Sequence, residues 1–149
     1  MNLDSARKRF GSKILQENIF RGETTLLIER GSILGVCGFL RDEQELAFEF
    51  LADLCGMDMF PAAPRFQVVY HVYSPRHGWR LRIKAQLPED DPVIDSVVQV
   101  WETADWHERE CFDLFGIRFR NHPDQRRILL PDDFEGHPLR KDFPLGGRQ

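Results

Sequence analysis

A dense group of ionisable side chains lies at Glu108, Arg109, Glu110 and Asp113. Two carboxylates this close together could serve as general acid and general base, as they do in several classes of hydrolase. No nucleophile motif lies beside them, and on a helix Arg109 and Asp113 are four residues apart and can pair with each other. The alternative role is structural, because carboxylates also hold arginines of the same chain or of a partner by charge-assisted hydrogen bonds. The pattern favours the structural role.

Histidine and cysteine offer a second possible chemistry, since His107 and Cys111 are four residues apart and could face one metal ion. The other candidate ligands, His122 and His137, lie at loop positions and each precedes a proline, a scattered set that does not match a closed zinc site. Three cysteines without a C-x-x-C pair cannot ligate an iron–sulfur cluster, which needs four suitable ligands. We therefore predict no catalytic residue, metal or cofactor on this chain.

Composition narrows the function classes further. With 149 residues, 42% hydrophobic and 30% charged, the chain fits one domain of ordinary soluble composition. Its net charge of −4 gives no general electrostatic reason to bind nucleic acid. Its longest apolar runs fall far short of the ~20 residues that span a bilayer, and its first residues do not resemble a signal peptide. We expect a cytosolic type of chain that reaches a membrane only through partners.

Several local patterns predict the elements that precede the ionisable group. Residues 13–20 and 24–29 are short β-capable runs separated by a plausible tight turn. A helix is predicted over 32–40, where the apolar residues share one side. A second helix is predicted over 42–56, because the segment opens with the capping-box pattern D-x-x-E and ends at a glycine.

The clearest pattern is a hairpin, in which apolar and polar residues alternate over 66–73 and again over 79–87. Such alternation indicates an antiparallel sheet with one covered face. An Asp-Pro pair at the start of 91–101 predicts a further helix there, and another is predicted over 104–115, ending at Gly116. The fold class that follows is α+β, with a mostly antiparallel sheet and helices packed on one face.

The last part of the chain, from Gly116 to Gln149, follows neither a helical nor a strand period. Prolines recur through it and disfavour helix, so we expect an extended, kinked arm. A disordered tail would be poor in large apolar residues, whereas this segment is rich in Phe, Leu and Arg. Arginine and aromatic residues are enriched at protein interfaces. We therefore predict a domain over 1–115 and a partner-binding arm over 116–149. Its apolar anchors include Ile128, Leu129, Leu130, Phe134, Phe143 and Leu145.

The segment ERECFDLFGIRFRNHPDQRRILLPDDFEGHPLRKDFPL, residues 108–145, closely resembles the signature of a known family. That family is the thirty-kilodalton subunit of respiratory complex I, which in bacteria is the NADH–quinone oxidoreductase. RFQVVYHVYS, residues 65–74, also looks like the family's first hairpin strand. Two departures are visible: Phe134 stands where Trp is common, and the chain ends shortly after the signature.

The resemblance implies a non-catalytic structural subunit in the peripheral arm of a proton-translocating enzyme. It implies docking on the forty-nine-kilodalton subunit near the quinone site, with contacts to other peripheral-arm subunits. Flavin and iron–sulfur clusters are expected on those other subunits, and the location is expected to be the cytoplasmic side of a bacterial inner membrane. The alternative is the equivalent subunit of a related membrane-bound nickel–iron hydrogenase complex.

Together these observations predict a set of partner-binding residues that runs from the ionisable group through the arm. The set is Glu108, Arg109, Glu110, Asp113, Phe115, Gly116, His122, Pro123, Arg126, Arg127, Ile128, Leu129, Leu130, Phe134, His137, Pro138, Arg140, Lys141, Asp142 and Phe143.

Overall fold

A computed structural model of the chain describes residues 1–144 and 146, so Leu145 and residues 147–149 of the predicted arm lie outside the described residues. The helices and strands follow in chain order. They are α1 (Asp4–Phe10), β1 (Ile14–Phe20), β2 (Glu23–Ile28), α2 (Ile33–Asp42), β3 (Phe50–Asp58), β4 (Phe66–Ser74), β5 (Trp79–Leu87), β6 (Val93–Asp95), α3 (Ala104–Phe115) and β7 (Arg118–Arg120). Short 3-10 turns at Gly11–Lys13 and Arg30–Ser32 precede β1 and α2.

Five strands form the main sheet, in the order β1-β2-β5-β4-β3. All neighbours are antiparallel except β2 and β5, which run parallel because the chain crosses over between them. A second, two-stranded sheet pairs β6 with β7 in parallel. The predicted α+β class with a mostly antiparallel sheet is confirmed.

One face of the sheet builds the core together with the helices. Leu26, Tyr70 and Ile83 are register partners on neighbouring strands, and all three are fully buried. Cys37 of α2 and Cys111 of α3 belong to the same buried cluster. The residues that alternate with these along β2 and β5 are exposed or half-buried, which is the pattern expected when helices cover one side only.

Four local predictions are confirmed by the structure. The runs 13–20 and 24–29 form β1 and β2, joined by a two-residue turn at Arg21 and Gly22 in which both φ angles are positive. Positive φ at both central residues is what the favoured hairpin turn requires. The helix over 32–40 is α2, the hairpin is β4 and β5, and the last predicted helix is α3.

The helix predicted over 42–56 is wrong. Residues after α2 form a turn, and Phe50–Asp58 is the edge strand β3. The pairing of β3 with β4 shifts register between Leu51 and Asp53, so a bulge lies at Ala52. This bulge brings Leu51 and Leu54 inward with a spacing of three, which a helix would also give.

The helix predicted over 91–101 is also wrong. Its first residues form β6, whose pairing partner β7 lies far along the chain. The amides of Val100 and Trp101 then bond the carbonyl oxygen of Val97, which makes one isolated turn. Ile94, Val97 and Trp101 are buried at helical spacing without forming a helix.

The predicted arm divides into two parts. Ile117 and Phe119 are buried in the core and β7 pairs with β6, so the segment 117–120 is packed into the domain. From Asn121 to Pro144 the described chain contains turns and bends but no helix or strand. None of the helices in the described part of the chain could span a membrane.

Candidate functional site

The Asp113 carboxylate organises the first half of the arm. One oxygen accepts hydrogen bonds from the backbone amides of Ile128, Leu129 and Leu130, at 3.0, 2.8 and 3.0 Å. The other oxygen accepts a bond from Arg127 at 2.7 Å. Burial opposes ionisation of Asp113, but these bonds outweigh it and lower the pKa of Asp113 below its ordinary value. A buried carboxylate from α3 therefore fixes three consecutive residues of the arm.

Asp113 does not pair with Arg109, contrary to the expectation from their spacing. Arg109 instead donates to the carbonyl oxygens of Arg126 and Arg127, at 3.1 and 3.2 Å. Arg127 also donates to the carbonyl oxygens of Phe134 and Gly136, at 2.8 and 3.0 Å. Both arginines thus donate hydrogen bonds to backbone carbonyl oxygens of the arm.

The end of α3 packs tightly against the second half of the arm. Gly116 has φ +73°, and a Cβ at that position would come within 2.6 Å of side-chain atoms of His137 and Arg140. The Nδ1 atom of His137 lies 2.9 Å from the carbonyl oxygen of Asp113, and Arg140 donates to the carbonyl oxygen of Phe115 at 2.6 Å. Glycine is needed here both for its conformation and for the space.

A third attachment point lies around Arg65, which is 3% exposed. Arg65 forms two hydrogen bonds to Asp58, at 2.9 and 3.1 Å, and two to Asp142 of the arm, at 2.7 and 3.1 Å. Asp58 also accepts a bond from the backbone amide of Lys141 at 2.9 Å. Burial opposes ionisation of Asp58, yet the bonds from Arg65 and from the amides of Lys141 and Phe60 lower its pKa to about 2.

Sequence reasoning missed Arg65 and Asp58 as members of the site. The two residues lie at opposite ends of the loop that joins β3 to β4, and a charged pair at two strand ends carries no local signal of burial. The signal that existed is indirect, because Arg65 opens the hairpin segment that shares the family resemblance.

Glu108 is fully buried and contacts no arginine in the described part of the chain. The expected contact of Glu108 or Glu110 with an arginine of the arm or of a partner stays a prediction. One oxygen accepts a bond from the amide of Val97 at 2.7 Å, and the other has no hydrogen-bond partner. That second oxygen lies 3.9 Å from Nε2 of His122, whose side chain is 0% exposed. Burial raises the pKa of Glu108 to about 7, with Asp105 adding to the effect.

The histidine of this buried group is held by the backbone on both sides of its ring. Nδ1 of His122 accepts a bond from the amide of Asp124 at 3.0 Å, and Nε2 lies 3.3 Å from the carbonyl oxygen of Asp105. The arm therefore begins with a histidine whose buried side chain packs and forms hydrogen bonds.

The outward surface of the arm is apolar in places. Leu129 and Leu139 are 61% and 51% exposed, and Trp106 of α3 is 62% exposed. Phe134 and Phe143 stack on each other with ring centroids 6.1 Å apart. The other predicted contact residues divide by exposure: Ile128, Leu130 and Pro138 are half-buried, whereas Glu110, Pro123, Arg126 and Lys141 are exposed.

The possible metal ligands do not converge. Cys111 is buried and free, and burial raises its pKa well above the ordinary value. His107 lies 3.5 Å from a carboxylate oxygen of Asp53. Within residues 1–144 and 146, no group of three or more His, Cys, Asp or Glu side chains could hold a metal ion.

Comparison with known proteins gives a consistent result. Residues 26–149 match the family described as the 30 kDa subunit of respiratory-chain NADH dehydrogenase. The C-subunit of NADH-quinone oxidoreductase from Geotalea uraniireducens (strain Rf4) is 49% identical over 141 residues, which cover 95% of this chain and 85% of that protein. A C-subunit of the same enzyme from Rhizobium etli (strain CIAT 652) is 46% identical over 147 residues, covering 99% and 78%.

Two solved structures resemble the fold. A trypsin-resistant fragment of Nqo5 is 31% identical with a TM-score of 0.62, and the match covers 82% of this chain and 95% of the fragment. A chain of the membrane-bound sulfane sulfur reductase, an archaeal respiratory membrane complex, has a TM-score of 0.78 at 22% identity, covering 96% and 84%. At that identity the second likeness concerns the fold alone.

Proposed function

Since this chain belongs to the family of the 30 kDa subunit of respiratory-chain NADH dehydrogenase, we propose that it is a non-catalytic docking component of that enzyme. Its arm binds the forty-nine-kilodalton subunit near the quinone site. The chain carries no cofactor, and flavin and iron–sulfur clusters belong to other peripheral-arm subunits. It reaches the cytoplasmic side of a bacterial inner membrane through its partners.

The observation that supports the proposal is the way the arm is held. Its polar groups are tied to Asp113, Arg109 and Arg65 within the chain, while Leu129 and Leu139 point outward. A surface whose backbone is already fixed loses little conformational freedom on binding. The arm thus presents apolar anchors from a preorganised frame, as a docking element should.

Charged groups beside these anchors can align the partner. Glu110 on α3 and Arg126 on the arm are both exposed, and Arg126 pairs only with the neighbouring Asp124 among the described residues. Exposed charges at the rim of an interface contribute mainly to orientation and association rate. We expect Glu110 to meet an arginine of the partner.

A nickel–iron hydrogenase complex is the alternative assembly. The curated relatives with 44–49% identity are named as subunits of NADH-quinone oxidoreductase, which favours the quinone enzyme. The likeness to the sulfane sulfur reductase chain is one of fold and does not change this preference.

Removal of the two exposed leucines tests the proposal. Truncation after Gly116 is unsuitable, because it would delete β7 from the domain. Leu129→Glu and Leu139→Glu instead place charges on surface positions and leave the anchoring hydrogen bonds intact. Leu15 of β1 is 60% exposed, so Leu15→Glu is a matched control at the edge strand β1 of the sheet.

Each buried leucine contributes ~1.5–3 kcal/mol, so the double variant should weaken binding of the forty-nine-kilodalton subunit by a factor of roughly 100 or more. The measurement is co-purification of that subunit with the tagged chain, together with NADH-driven quinone reduction by the membranes. Leu15→Glu should behave like the natural chain in both. Full retention of the forty-nine-kilodalton subunit by the double variant would show that the arm is not the docking element.

A further inference from the structure

The face of the main sheet that the helices leave open carries a row of positive charges. Arg80, Arg82 and Lys84 alternate with buried residues along β5, so all three point to this open face. Residues two apart on a strand are ~6.6 Å apart, which makes the row about 13 Å long. The chain as a whole has a net charge of −4, so this concentration of cations is local.

Only part of this charge is neutralised by the chain itself. Arg82 pairs with Glu23 at 2.7 Å. Arg80 lies over the ring of Tyr73, 5.5 Å from its centroid, and neither Arg80 nor Lys84 has an ion-pair partner among residues 1–144 and 146. Burial lowers the pKa of His71 on the neighbouring strand, with Arg82 and Lys84 adding to the effect and Asp53 and Glu23 opposing it. The open face therefore keeps two cations without an ion-pair partner in the described part of the chain, one at each end of the row.

The same face is concave and partly apolar. A groove of about 630 Å³ is lined by Tyr73, Arg80 and Arg82 among others, and a smaller hollow of about 200 Å³ lies beside Lys84. Phe50, the register partner of Tyr73 on β3, is 52% exposed at the edge of the sheet. Arginine and aromatic residues in a concave site have the composition of binding hot spots.

We propose that this face, called here the basic sheet face (Tyr73, Arg80, Arg82 and Lys84), binds an acidic segment of a neighbouring protein in the assembly. The partner places carboxylates opposite Arg80 and Lys84, and an apolar side chain against Phe50 and Tyr73. The proposal rests on the proposed membership of a multi-subunit enzyme. The chain then has two docking surfaces, the arm beside α3 and the basic sheet face on the other side of the sheet.

An acidic protein segment fits this face better than a nucleic acid or a lipid surface. Two free cations are too few for the phosphate contacts that give nucleic-acid affinity, and the negative net charge opposes a polyanion at long range. The exposed ring of Phe50 beside Tyr73 has no use in a contact with phosphates, whereas an apolar side chain of a protein segment can cover it.

Zero-length cross-linking of the purified native assembly tests the inference. A carbodiimide joins a lysine amine to a carboxylate only when the two are in direct contact, and mass spectrometry identifies the joined peptides. We expect Lys84 to be joined to an Asp or Glu of a neighbouring protein. Lys8 on α1 is exposed and also lacks an ion-pair partner in the described chain, so it is the control and should give no such product.

Charge reversal supplies the second measurement. The double variant Arg80→Glu, Lys84→Glu should lose the protein that is cross-linked to Lys84 during purification. We expect this loss to be at least tenfold greater than in the natural assembly. If that protein is not the forty-nine-kilodalton subunit, the latter should stay bound through the arm. Lys8→Glu should change nothing. The result for the leucine variants of the arm is independent, so failure of one surface does not hide failure of the other.

Three results would overturn the inference. One is a Lys84 product confined to this chain's own carboxylates, or no product where other proteins of the assembly are cross-linked normally. Another is an assembly of unchanged composition in the charge-reversal variant. The last is that the full chain binds a single-stranded oligonucleotide or phosphatidylserine vesicles at physiological salt and that the charge reversal abolishes this binding. That result would assign the face to that ligand.

Discussion

The contribution of Glu108 to the free energy of unfolding should fall as the pH rises. The carboxyl is fully buried, one of its oxygens has no partner, and burial raises its pKa to about 7 from an ordinary 4.5. The folded chain therefore holds a proton at Glu108 between those two values, whereas the unfolded chain does not. Stability from this group is fully present below about pH 4.5 and is lost progressively up to about pH 7.

The magnitude follows from the size of the shift. A difference of one in the pKa between the folded and unfolded chain corresponds to ~1.36 kcal/mol of stability. The rise in the pKa of Glu108 from 4.5 to about 7 therefore gives about 3 kcal/mol. Glu108→Gln removes the ionisation and keeps the size and the acceptor for the amide of Val97. The variant should therefore match the natural chain near pH 4.5 and exceed its free energy of unfolding by about 3 kcal/mol at pH 8.

Urea denaturation of both proteins from pH 4.5 to 8.5 measures this difference directly. Other titrating groups affect both chains equally, so they cancel when the two curves are subtracted. Glu110→Gln is the matched control, since Glu110 lies two residues away and is exposed, and its difference curve should be flat. A flat curve for Glu108→Gln, or one in which the natural chain gains stability with rising pH, would show that Glu108 is ionised in the folded protein.

Three further perturbations probe the attachment of the arm. Asp113→Asn weakens the acceptor of three amides and one guanidinium, so trypsin should cut the arm of the isolated chain at least tenfold faster, whereas Glu110→Gln should leave the cleavage rate unchanged. Arg65→Met leaves the buried charge of Asp58 unpaired and should lower the free energy of unfolding in urea by ~3–5 kcal/mol; a loss below ~1 kcal/mol would show that the pair is not buried in solution. Gly116→Ala places a Cβ on a residue with positive φ and within about 2.6 Å of arm side chains, so we expect a lower melting temperature and faster cleavage of the arm. Unchanged values would argue against tight packing of the arm at Gly116.

The sequence predicted the elements whose patterns are local. Strict alternation of apolar and polar residues along β5 indicates a strand, because a strand buried on one face only must alternate. The helix α3 was recognisable from its length and from the glycine at its end, whose left-handed φ the structure confirms. The family was also recognisable, since residues 108–145 form an almost unbroken signature and the comparisons show the same family.

The errors arose where one local pattern has two tertiary solutions. Leu51 and Leu54 are spaced like the face of a helix, but a bulge at Ala52 gives the same spacing in a strand. Ile94 and Val97 are likewise three apart, yet β6 exists only because β7 returns to pair with it. Pairing of distant segments overrides local helix signals.

The partner of each charge was decided by the tertiary structure alone. Spacing suggested that Arg109 pairs with Asp113, but folding brings Arg127 and three arm amides to that carboxylate instead. The amide of Lys141 meets Asp58 across 83 residues of sequence, a separation that no local pattern encodes. Sequence periodicity specifies which face of an element is buried, whereas the position of a charge relative to distant groups depends on how the elements pack. The sequence by itself therefore determined the family. The tertiary packing decided that residues 117–120 join the domain and which carboxylates hold the rest of the arm.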